Sequence, residues 1–299
     1  MRYSTPLRYP GGKSKLAKFI KLVLIKNELL DGHYAEPYAG GAGIAFHLLL
    51  DGYVKHIHIN DLNKSVHAFW HSAIQDTENL CRLIQGTSVT MKSWRQQKAI
   101  QDDSKNHSLL ELGFSTFFLN RTNRSGIING GVIGGKEQSG DWLLDARFNK
   151  QTLIARIEKI SKQKEHITLY NQDAAQFMAN VIPTLPKKSL IYLDPPYYVK
   201  GRGLYQNYYG HNEHVAIAKL VTTKIKQNWI VSYDDTPEIR KLYQGHRKII
   251  YKLSYSATDR YKGSEIMFFC NDLIVPKVNN PAKLEAIHNK LLKTHPAFL

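Results

Sequence analysis

The chain has little cysteine and no long apolar run. Its 299 residues include only Cys81 and Cys270, which lie far apart and have no partner at zinc-like spacing. This usage fits a reducing compartment and argues against a structural metal. The most apolar N-terminal segment, residues 16–30, is interrupted by lysines, so we expect neither a signal peptide nor a membrane helix. We therefore expect a cytoplasmic protein.

Histidine offers no better set of metal ligands. His56 and His58 alternate on one face of a predicted strand, and His211 and His214 fit solvated residues that open a helix. We therefore expect no metal.

The sequence is also poor in acidic residues relative to basic ones. Its 41 Lys and Arg against 25 Asp and Glu give a formal charge of +16 and a pI near 9.6. A metabolic enzyme for small substrates needs no such excess, whereas a polyanion would be attracted by it. Because the charge is spread along the whole chain, we favour nucleic acid over an anionic membrane or a merely soluble basic protein.

Seven segments rich in strand formers alternate with helical patterns, which predicts an α/β fold. A helical pattern between the first two segments ends at Gly52 and completes a β-α-β unit. This alternation favours a mainly parallel sheet with helices on both faces, and the short polar turn before the last strand predicts a C-terminal antiparallel hairpin. The predicted strands are residues 33–38, 54–59, 166–170, 189–193, 228–233, 246–255 and 264–270.

A stretch dominated by helix formers interrupts this order between residues 62 and 164, and it contains the Gly-rich segment 125–140. This predicts an inserted helical subdomain with a long hairpin or mobile loop. The chain then divides into a discontinuous sheet domain (1–65 and 165–275), the insert (66–164) and a basic tail (276–299), which is either a short amphipathic helix or loose.

A glycine loop follows the first predicted strand. Gly40, Gly41 and Gly43 allow a tight turn into a helix and close approach of a ligand to the main chain. Phe46 stands where a dinucleotide fingerprint has its third glycine, which disfavours a nicotinamide cofactor. Asp61 ends the next strand, about 20 residues further on, where a carboxylate can accept hydrogen bonds from ribose hydroxyls. Together these features predict a cofactor that contains adenosine.

The N-terminal "RYPGGKSKL" does not complete a phosphate loop. Leu7 occupies the place of the first glycine in G-x-x-x-x-G-K-S, and no strand precedes the segment. We therefore reject a nucleoside triphosphatase.

A second motif, Asp194, Pro195, Pro196 and Tyr197, directly follows the apolar run 190–193. Proline cannot continue a central strand, so the strand ends here, and the stiff turn holds the carboxylate where α/β sheets bind ligands. The Asp194 carboxylate and the Pro195 carbonyl can accept hydrogen bonds from an exocyclic amine and expose its lone pair.

With these motifs in this order, the chain resembles the Dam-like family of DNA adenine-N6 methyltransferases over roughly residues 5–272. The resemblance implies a Rossmann-like methyltransferase sheet and S-adenosylmethionine as cofactor, without a metal. Ala42 replaces a glycine of many relatives, a minor departure. The implied cofactor-binding residues are Tyr9, Lys13, Glu36, Pro37, Tyr38, Ala39, Gly40, Gly41, Gly43, Asp61, Asp173 and Asp194.

The resemblance also implies that the methyl group goes to N6 of an adenine flipped out of double-stranded DNA. The Asp194 to Tyr197 tetrad is then catalytic: the prolines stiffen the acceptor geometry, and the Tyr197 ring can stack on the extruded base. No covalent intermediate is required, which agrees with the absence of the Pro-Cys nucleophile of cytosine-C5 enzymes.

The insert carries the predicted target-recognition loop, whose polar side chains suit phosphates and base edges. At Asn129, relatives that read GATC tend to have Arg, which puts GATC specificity in question. The predicted DNA-binding residues are Asn120, Arg121, Asn123, Arg124 and Asn129.

Three alternatives stay open. An RNA adenine-N6 methyltransferase would share the tetrad and the charge but prefer single-stranded or structured RNA. A protein-glutamine methyltransferase commonly has Asn in place of Asp194. A silent DNA-binding module would have lost part of the tetrad or the glycine loop. We expect a nucleoid-associated monomer, with a cognate restriction or defence system as a possible partner.

Overall fold

A seven-stranded sheet forms the centre of the molecule. The computed structural model describes residues 5–9, 11–199, 209–254 and 262–284. The strands are β1 (Gly32–Glu36), β2 (Val54–Asn60), β3 (Ile167–Tyr170), β4 (Ser189–Leu193), β5 (Asn228–Asp234), β6 (Arg247–Ser254) and β7 (Lys262–Phe269).

The sheet has the order β3-β2-β1-β4-β5-β7-β6. The first five strands along the chain pair in parallel, and β7 is antiparallel to both β5 and β6. The predicted mainly parallel sheet with a C-terminal antiparallel pair is therefore confirmed, although the turn at 255–261 lies outside the described residues. Parallel pairing brings the carboxyl ends of β1, β2, β4 and β5 to one edge, where α/β sheets bind ligands.

Helices cover both faces of the sheet. They are α1 (Ala17–Lys26), α2 (Gly43–Leu50), α3 (Lys64–Gln75), α4 (Thr77–Gly86), α5 (Met91–Asp102), α6 (Leu109–Thr122), α7 (Lys150–Ser161), α8 (Ala174–Asn180), α9 (His211–Thr223) and α10 (Pro237–Leu242).

Two buried clusters hold the layers together, one on each face. Phe46 of α2 and Phe117 of α6 belong to the first, and Phe177 of α8, Trp229 of β5 and Phe268 of β7 to the second. β4 is buried along its whole length, as expected for a central parallel strand covered on both faces.

The interrupting segment is helical, as predicted, and contains α3 to α7. Its core is continuous with that of the sheet: Phe69 and Trp70 of α3 belong to the same cluster as Phe46 of α2. The domain boundaries stay a prediction. After α6 the chain forms a loop with an isolated antiparallel bridge between Asn123 and Val132 in place of a long hairpin.

The predicted C-terminal tail is described only to residue 284, with a short 3-10 turn at Pro281–Lys283, and residues 285–299 lie outside the described part. None of the described helices is long and apolar enough to cross a membrane.

His56 and His58 share one face of β2, as predicted, and they stack with His33 of β1. The imidazole of His33 lies 3.0 Å from that of His58. Burial, with the neighbouring His56 and His33, lowers the pKa of His58 to about 3, and burial also lowers the pKa of His33 and of His56, so the cluster favours neutral imidazoles.

Candidate active site

The carboxyl ends of β1, β2 and β4 open into one cleft of about 780 Å³, within the usual range of ligand sites. It unites most of the predicted cofactor residues with part of the predicted DNA-binding loop. Of the predicted residues, the cleft is lined by Tyr9, Lys13, Glu36, Pro37, Tyr38, Ala39, Gly40, Gly41, Gly43, Asp61, Asn120, Arg121, Asn129, Asp194 and Pro196.

Asp194 follows the last residue of β4, and both oxygens of its carboxylate have donors. Oδ2 lies 2.9 Å from Nζ of Lys13, and Oδ1 accepts a hydrogen bond of 2.9 Å from the hydroxyl of Ser232 on β5. About a fifth of the side chain, 19 %, remains exposed. The carboxylate is therefore fixed in direction yet open to the cleft, and each oxygen keeps a lone pair for another donor.

Burial raises the pKa of Asp194, and the nearby Glu265 adds to the shift, whereas Lys13 and Ser232 oppose it. Lys13 is thus the group that most favours the ionised form of this carboxylate.

Lys13 is buried, with 3 % of its side chain exposed, and joins the N-terminal segment to the sheet. Besides Asp194, its ammonium donates to the carbonyl of Gly11 at 2.9 Å and to the hydroxyl of Tyr197 at 2.7 Å. Glu265 of β7 lies 3.7 Å away. Burial lowers the pKa of this lysine, but the two carboxylates outweigh that effect and hold the pKa well above its usual value.

Tyr197 is enclosed rather than displayed. The residue is 2 % exposed, and its hydroxyl donates to Oε1 of Glu265, whose Oε2 accepts from Tyr251 at 2.6 Å. The ring of Tyr197 does not line the cleft, whereas Pro196 does. The Tyr197 hydroxyl thus contacts both Lys13 and Glu265, and the stacking role predicted from the sequence stays a prediction.

The glycine loop is shaped by close contacts with the N-terminal segment. A Cβ on Gly40 would lie 2.6 Å from the Tyr9 ring, and one on Gly43 would lie 2.0 Å from the Ser14 hydroxyl. Ala42 has a left-handed backbone with φ of 45°, which costs a non-glycine residue about 1 kcal/mol or more. Gly40 and Gly43 are thus needed for close packing of the loop against the N-terminal segment, as well as for the approach of a ligand to the main chain.

Asp61, just beyond β2, ties the glycine loop to the next helix. Its Oδ2 accepts from the amide of Gly40 at 2.8 Å, and Oδ1 accepts from the amide of Asn63 at 2.9 Å. Burial raises its pKa to about 6 in spite of these two bonds. Asp61 lines the cleft, and its role at the ribose stays a prediction.

Glu36 at the end of β1 is buried and accepts from the Tyr34 hydroxyl at 2.9 Å and the Ala45 amide at 3.2 Å. Burial raises its pKa to about 8, so the neutral acid is the main form at pH 7. Its contacts are those of a residue that fixes β1 to α2.

Asp173 does not line the cleft, although its neighbour Ala174 does. Its Oδ1 caps α8 by accepting from the amide of Ala175 at 2.8 Å. Across the cleft, the hydroxyls of Tyr38 and Tyr209 lie 3.3 Å apart. The assignment of Asp173 to the cofactor's adenine stays a prediction.

The predicted target-recognition loop contains two asparagines that bond to the main chain of the loop and its neighbours. The Asn120 amide bonds to the main-chain N and O of Arg8 at 2.8 and 2.7 Å and to the Gly126 carbonyl at 2.8 Å. Asn123 accepts from the Trp94 indole at 2.7 Å and donates to Ile128 O at 2.8 Å.

Asn120 is 2 % exposed and Asn123 is fully buried, so neither side chain has donors left for DNA. Tertiary packing uses these amides to shape the loop, and the assignment of Asn120 and Asn123 to DNA contacts stays a prediction. Arg124 and Asn129 are exposed and Arg121 is half-buried, which leaves these three available.

Three polar residues of the site were not predicted from the sequence. Ser232 orients Asp194, Glu265 lies beside Lys13, and Asp234 at the end of β5 accepts from the amides of Tyr198 at 2.8 Å and Val199 at 3.0 Å. A signal existed for two of them, because a buried strand next to β4 that ends in polar residues should deliver them to the same edge. Glu265 also gave a signal, because it is an acid inside the apolar strand β7 and charges are rarely buried unless they are paired.

A comparison with known protein families identifies the family of this chain. A model of the family described as D12 class N6 adenine-specific DNA methyltransferase matches residues 9–257. The chain belongs to this family. The family resemblance inferred from the glycine loop, Asp61 and the tetrad is thereby confirmed.

Among solved structures, the chain is similar to the rRNA methyltransferase aviRa from Streptomyces viridochromogenes, at 9% identity and a TM-score of 0.37, with 87% of this chain and 86% of that chain covered. At these values the similarity supports no conclusion about the activity or substrate of this chain. A search of curated proteins finds no significant match.

As a D12-class enzyme, the protein is an adenine-specific methyltransferase with DNA as its substrate. Methyltransferases of this kind generally use S-adenosylmethionine. Among the described residues, no group of three or more His, Cys, Asp or Glu is placed to hold a metal ion.

Proposed function

We propose that this D12-class enzyme transfers the methyl group of S-adenosylmethionine to N6 of an adenine flipped out of duplex DNA. The observation that carries the proposal is the placement of Asp194, which is held by Lys13 and Ser232 on opposite oxygens in the same cleft as the glycine loop and Asp61.

The cleft fits the cofactor by size and by donor set. The volume of the cleft suits a nucleoside with a side chain. The Asp61 carboxylate is held in one orientation by the amides of Gly40 and Asn63, and it keeps lone pairs for ribose hydroxyls. Tyr9 and the glycine loop form the wall beside it. When bound, S-adenosylmethionine supplies an electrophilic methyl group on a sulfonium.

Asp194 prepares the nucleophile. The lone pair of adenine N6 is delocalised into the ring, and an acceptor for each N6 hydrogen moves the nitrogen towards tetrahedral geometry. Asp194 accepts one hydrogen and the Pro195 carbonyl the other, which directs the lone pair at the methyl carbon. As the new N–C bond forms and the S–C bond breaks, N6 becomes cationic, and its surplus proton passes along the hydrogen bond to Asp194, whose raised pKa favours that transfer.

Duplex DNA requires the base to leave the stack, because N6 is out of reach of a cleft while the adenine is paired. We expect single-turnover transfer of labelled methyl groups to a mixed-sequence DNA duplex, with little transfer to RNA of the same sequence. A mismatch opposite the target adenine should speed transfer, since it lowers the cost of extrusion. Preferential labelling of single-stranded RNA would instead support the RNA alternative.

The affinity for S-adenosylmethionine is expected to fall at acid pH. Asp61 has a pKa raised to about 6, and its ionised form is the stronger acceptor for ribose hydroxyls. Below pH 6 the group is protonated, so the affinity should decline by up to about tenfold per pH unit. Calorimetric titration from pH 8 to pH 5, in the presence of a chelator, measures the effect.

Asp61→Asn should bind weakly at every pH and remove the decline. Asp102→Asn, which alters an exposed carboxylate of α5 that pairs with Lys98, should behave as the parent does. An affinity of the parent that stays constant down to pH 5 would remove Asp61 from the ribose site.

A further inference from the structure

Four arginines from separate segments meet at one end of the active-site cleft. Arg8 belongs to the N-terminal segment, Arg121 to α6, Arg147 to the loop before α7, and Arg156 to α7, and all four line the cleft. Arg147 is exposed and the other three are half-buried. We refer to these four residues as the arginine cluster.

The cluster has no acidic counterpart. Within the described ranges, no ion pair joins any of the four to a carboxylate. Arg121 donates to the carbonyls of Arg147 at 2.7 Å and Pro6 at 3.4 Å, and Arg156 donates to the Thr5 carbonyl at 3.5 Å. These bonds fix the guanidinium groups, but carbonyls do not neutralise their charge.

Two donors in the cluster have no partner. NH1 of Arg8 and Nε of Arg156 are buried and without a hydrogen bond, and an unsatisfied buried donor is destabilising, the more so when it is charged. Burial, together with Arg8, Arg156 and Arg147, lowers the pKa of Arg121 to about 9. Burial and Arg147 likewise lower the pKa of Arg8. The mutual repulsion of the guanidinium groups and the two unbonded donors are therefore destabilising, and a bound anion would relieve both.

We infer that the arginine cluster is a binding site for one phosphate group of the nucleic-acid backbone. Guanidinium forks match the oxygens of a phosphate in two-point hydrogen bonds. The cleft that holds the cluster also contains Asp194, so we assign the phosphate to the strand that carries the target base. This inference rests on the proposed function for the identity of the polymer.

The site is mechanically linked to the recognition loop. Asn120 bonds to both main-chain atoms of Arg8 and to Gly126 of the loop, and a Cβ on Gly126 would lie 2.1 Å from the Arg8 carbonyl. A phosphate held by Arg8 and Arg156 therefore fixes the position of the loop relative to the DNA backbone.

Inorganic phosphate tests the site without any methyl transfer. At constant ionic strength, replacing chloride by phosphate should raise the melting temperature of the parent protein. Arg156→Gln should melt higher than the parent in chloride, because a repelling charge is gone, and should lose most of the response to phosphate. Arg95→Gln, which changes an exposed arginine of α5, should respond as the parent does. Equal responses of the two variants would overturn the site.

Duplex DNA then distinguishes a backbone phosphate from a free one. Arg156→Gln should weaken binding of a mixed-sequence duplex about tenfold or more and reduce the salt slope of log affinity by about 0.9, with unchanged affinity for S-adenosylmethionine. A phosphate response in melting with an unchanged DNA salt slope would assign the site to a free anion and contradict the inference. A loss of cofactor affinity instead would assign it to the cofactor carboxylate.

Discussion

Asp194→Ala is expected to lower single-turnover methyl transfer by about 10³-fold or more while duplex binding persists. The variant removes the acceptor that exposes the N6 lone pair, and losses of this order accompany the removal of one fixed group from a transition-state site. In the proposed function, DNA binding depends on other parts of the molecule, the basic surface and the predicted recognition loop. Labelled methyl transfer and equilibrium DNA binding are measured on the same preparations.

Two controls separate chemistry from folding in this experiment. The melting temperature must be recorded, because Asp194→Ala leaves buried Lys13 without its closest carboxylate. Asp51→Ala removes another lysine-paired carboxylate, the partner of Lys21, at a position that does not line the cleft, and should keep full activity. Near-parental transfer by a folded Asp194→Ala protein would contradict the mechanism.

Lys13→Met and Glu265→Gln are expected to shift the acid limb of the pH–rate profile in opposite directions. The Lys13 cation lowers the pKa of Asp194, whereas Glu265 raises it. In the proposed mechanism Asp194 acts as the carboxylate, so the rate should fall as the pH drops through its pKa. Loss of the cation should move this fall to higher pH and slow transfer at neutral pH. Loss of the Glu265 charge should move it to lower pH.

The readout is the single-turnover rate from pH 5 to pH 9, with saturating cofactor and DNA. Recovery of Lys13→Met at high pH distinguishes a shifted pKa from a disrupted fold, and Lys13→Arg should restore part of the neutral rate. Because Lys13 and Glu265 act through Asp194, we regard them as positioning residues. Profiles that only scale in height, without a shift along the pH axis, would contradict this role.

Tyr197→Phe distinguishes a stacking role of the Tyr197 ring from a hydrogen-bonding role of its hydroxyl. A stacking role predicts a mild effect, since a phenyl ring still stacks on a base. The structure instead places the hydroxyl between Lys13 and Glu265, so its loss should reduce transfer at neutral pH with little change in DNA affinity. Single-turnover rates for matched and mismatched duplexes decide between the two, because only a stacking defect is relieved by a mismatch.

Most of the fold and the centre of the site could be predicted from the sequence, for local reasons. The strand formers of β4 and the prolines after it determine where that strand ends, and the β-α-β spacing places Asp61 beside the glycine loop. These features depend on propensity, periodicity and chain stiffness, which a short window of sequence contains.

The parts that could not be predicted depend on which polar side chains are buried. The loop sequence gives the same prediction for Asn120 and Asn129, yet packing turns Asn120 onto Arg8 and leaves Asn129 at the surface. The arginine cluster unites residues from positions 8 to 156, and no local pattern connects them. Tertiary contacts choose among chemically equivalent side chains.

The central claim, Asp194-dependent methylation of adenine N6 in duplex DNA, is tested most directly by modification-sensitive sequencing. Unmethylated genomic DNA is incubated with S-adenosylmethionine and either the parent protein or Asp194→Ala, then sequenced. We expect N6-methyladenine at one defined sequence context with the parent and none with the variant. Methylation that persists in the variant, or a parent protein that leaves genomic adenines unmodified, would contradict the account.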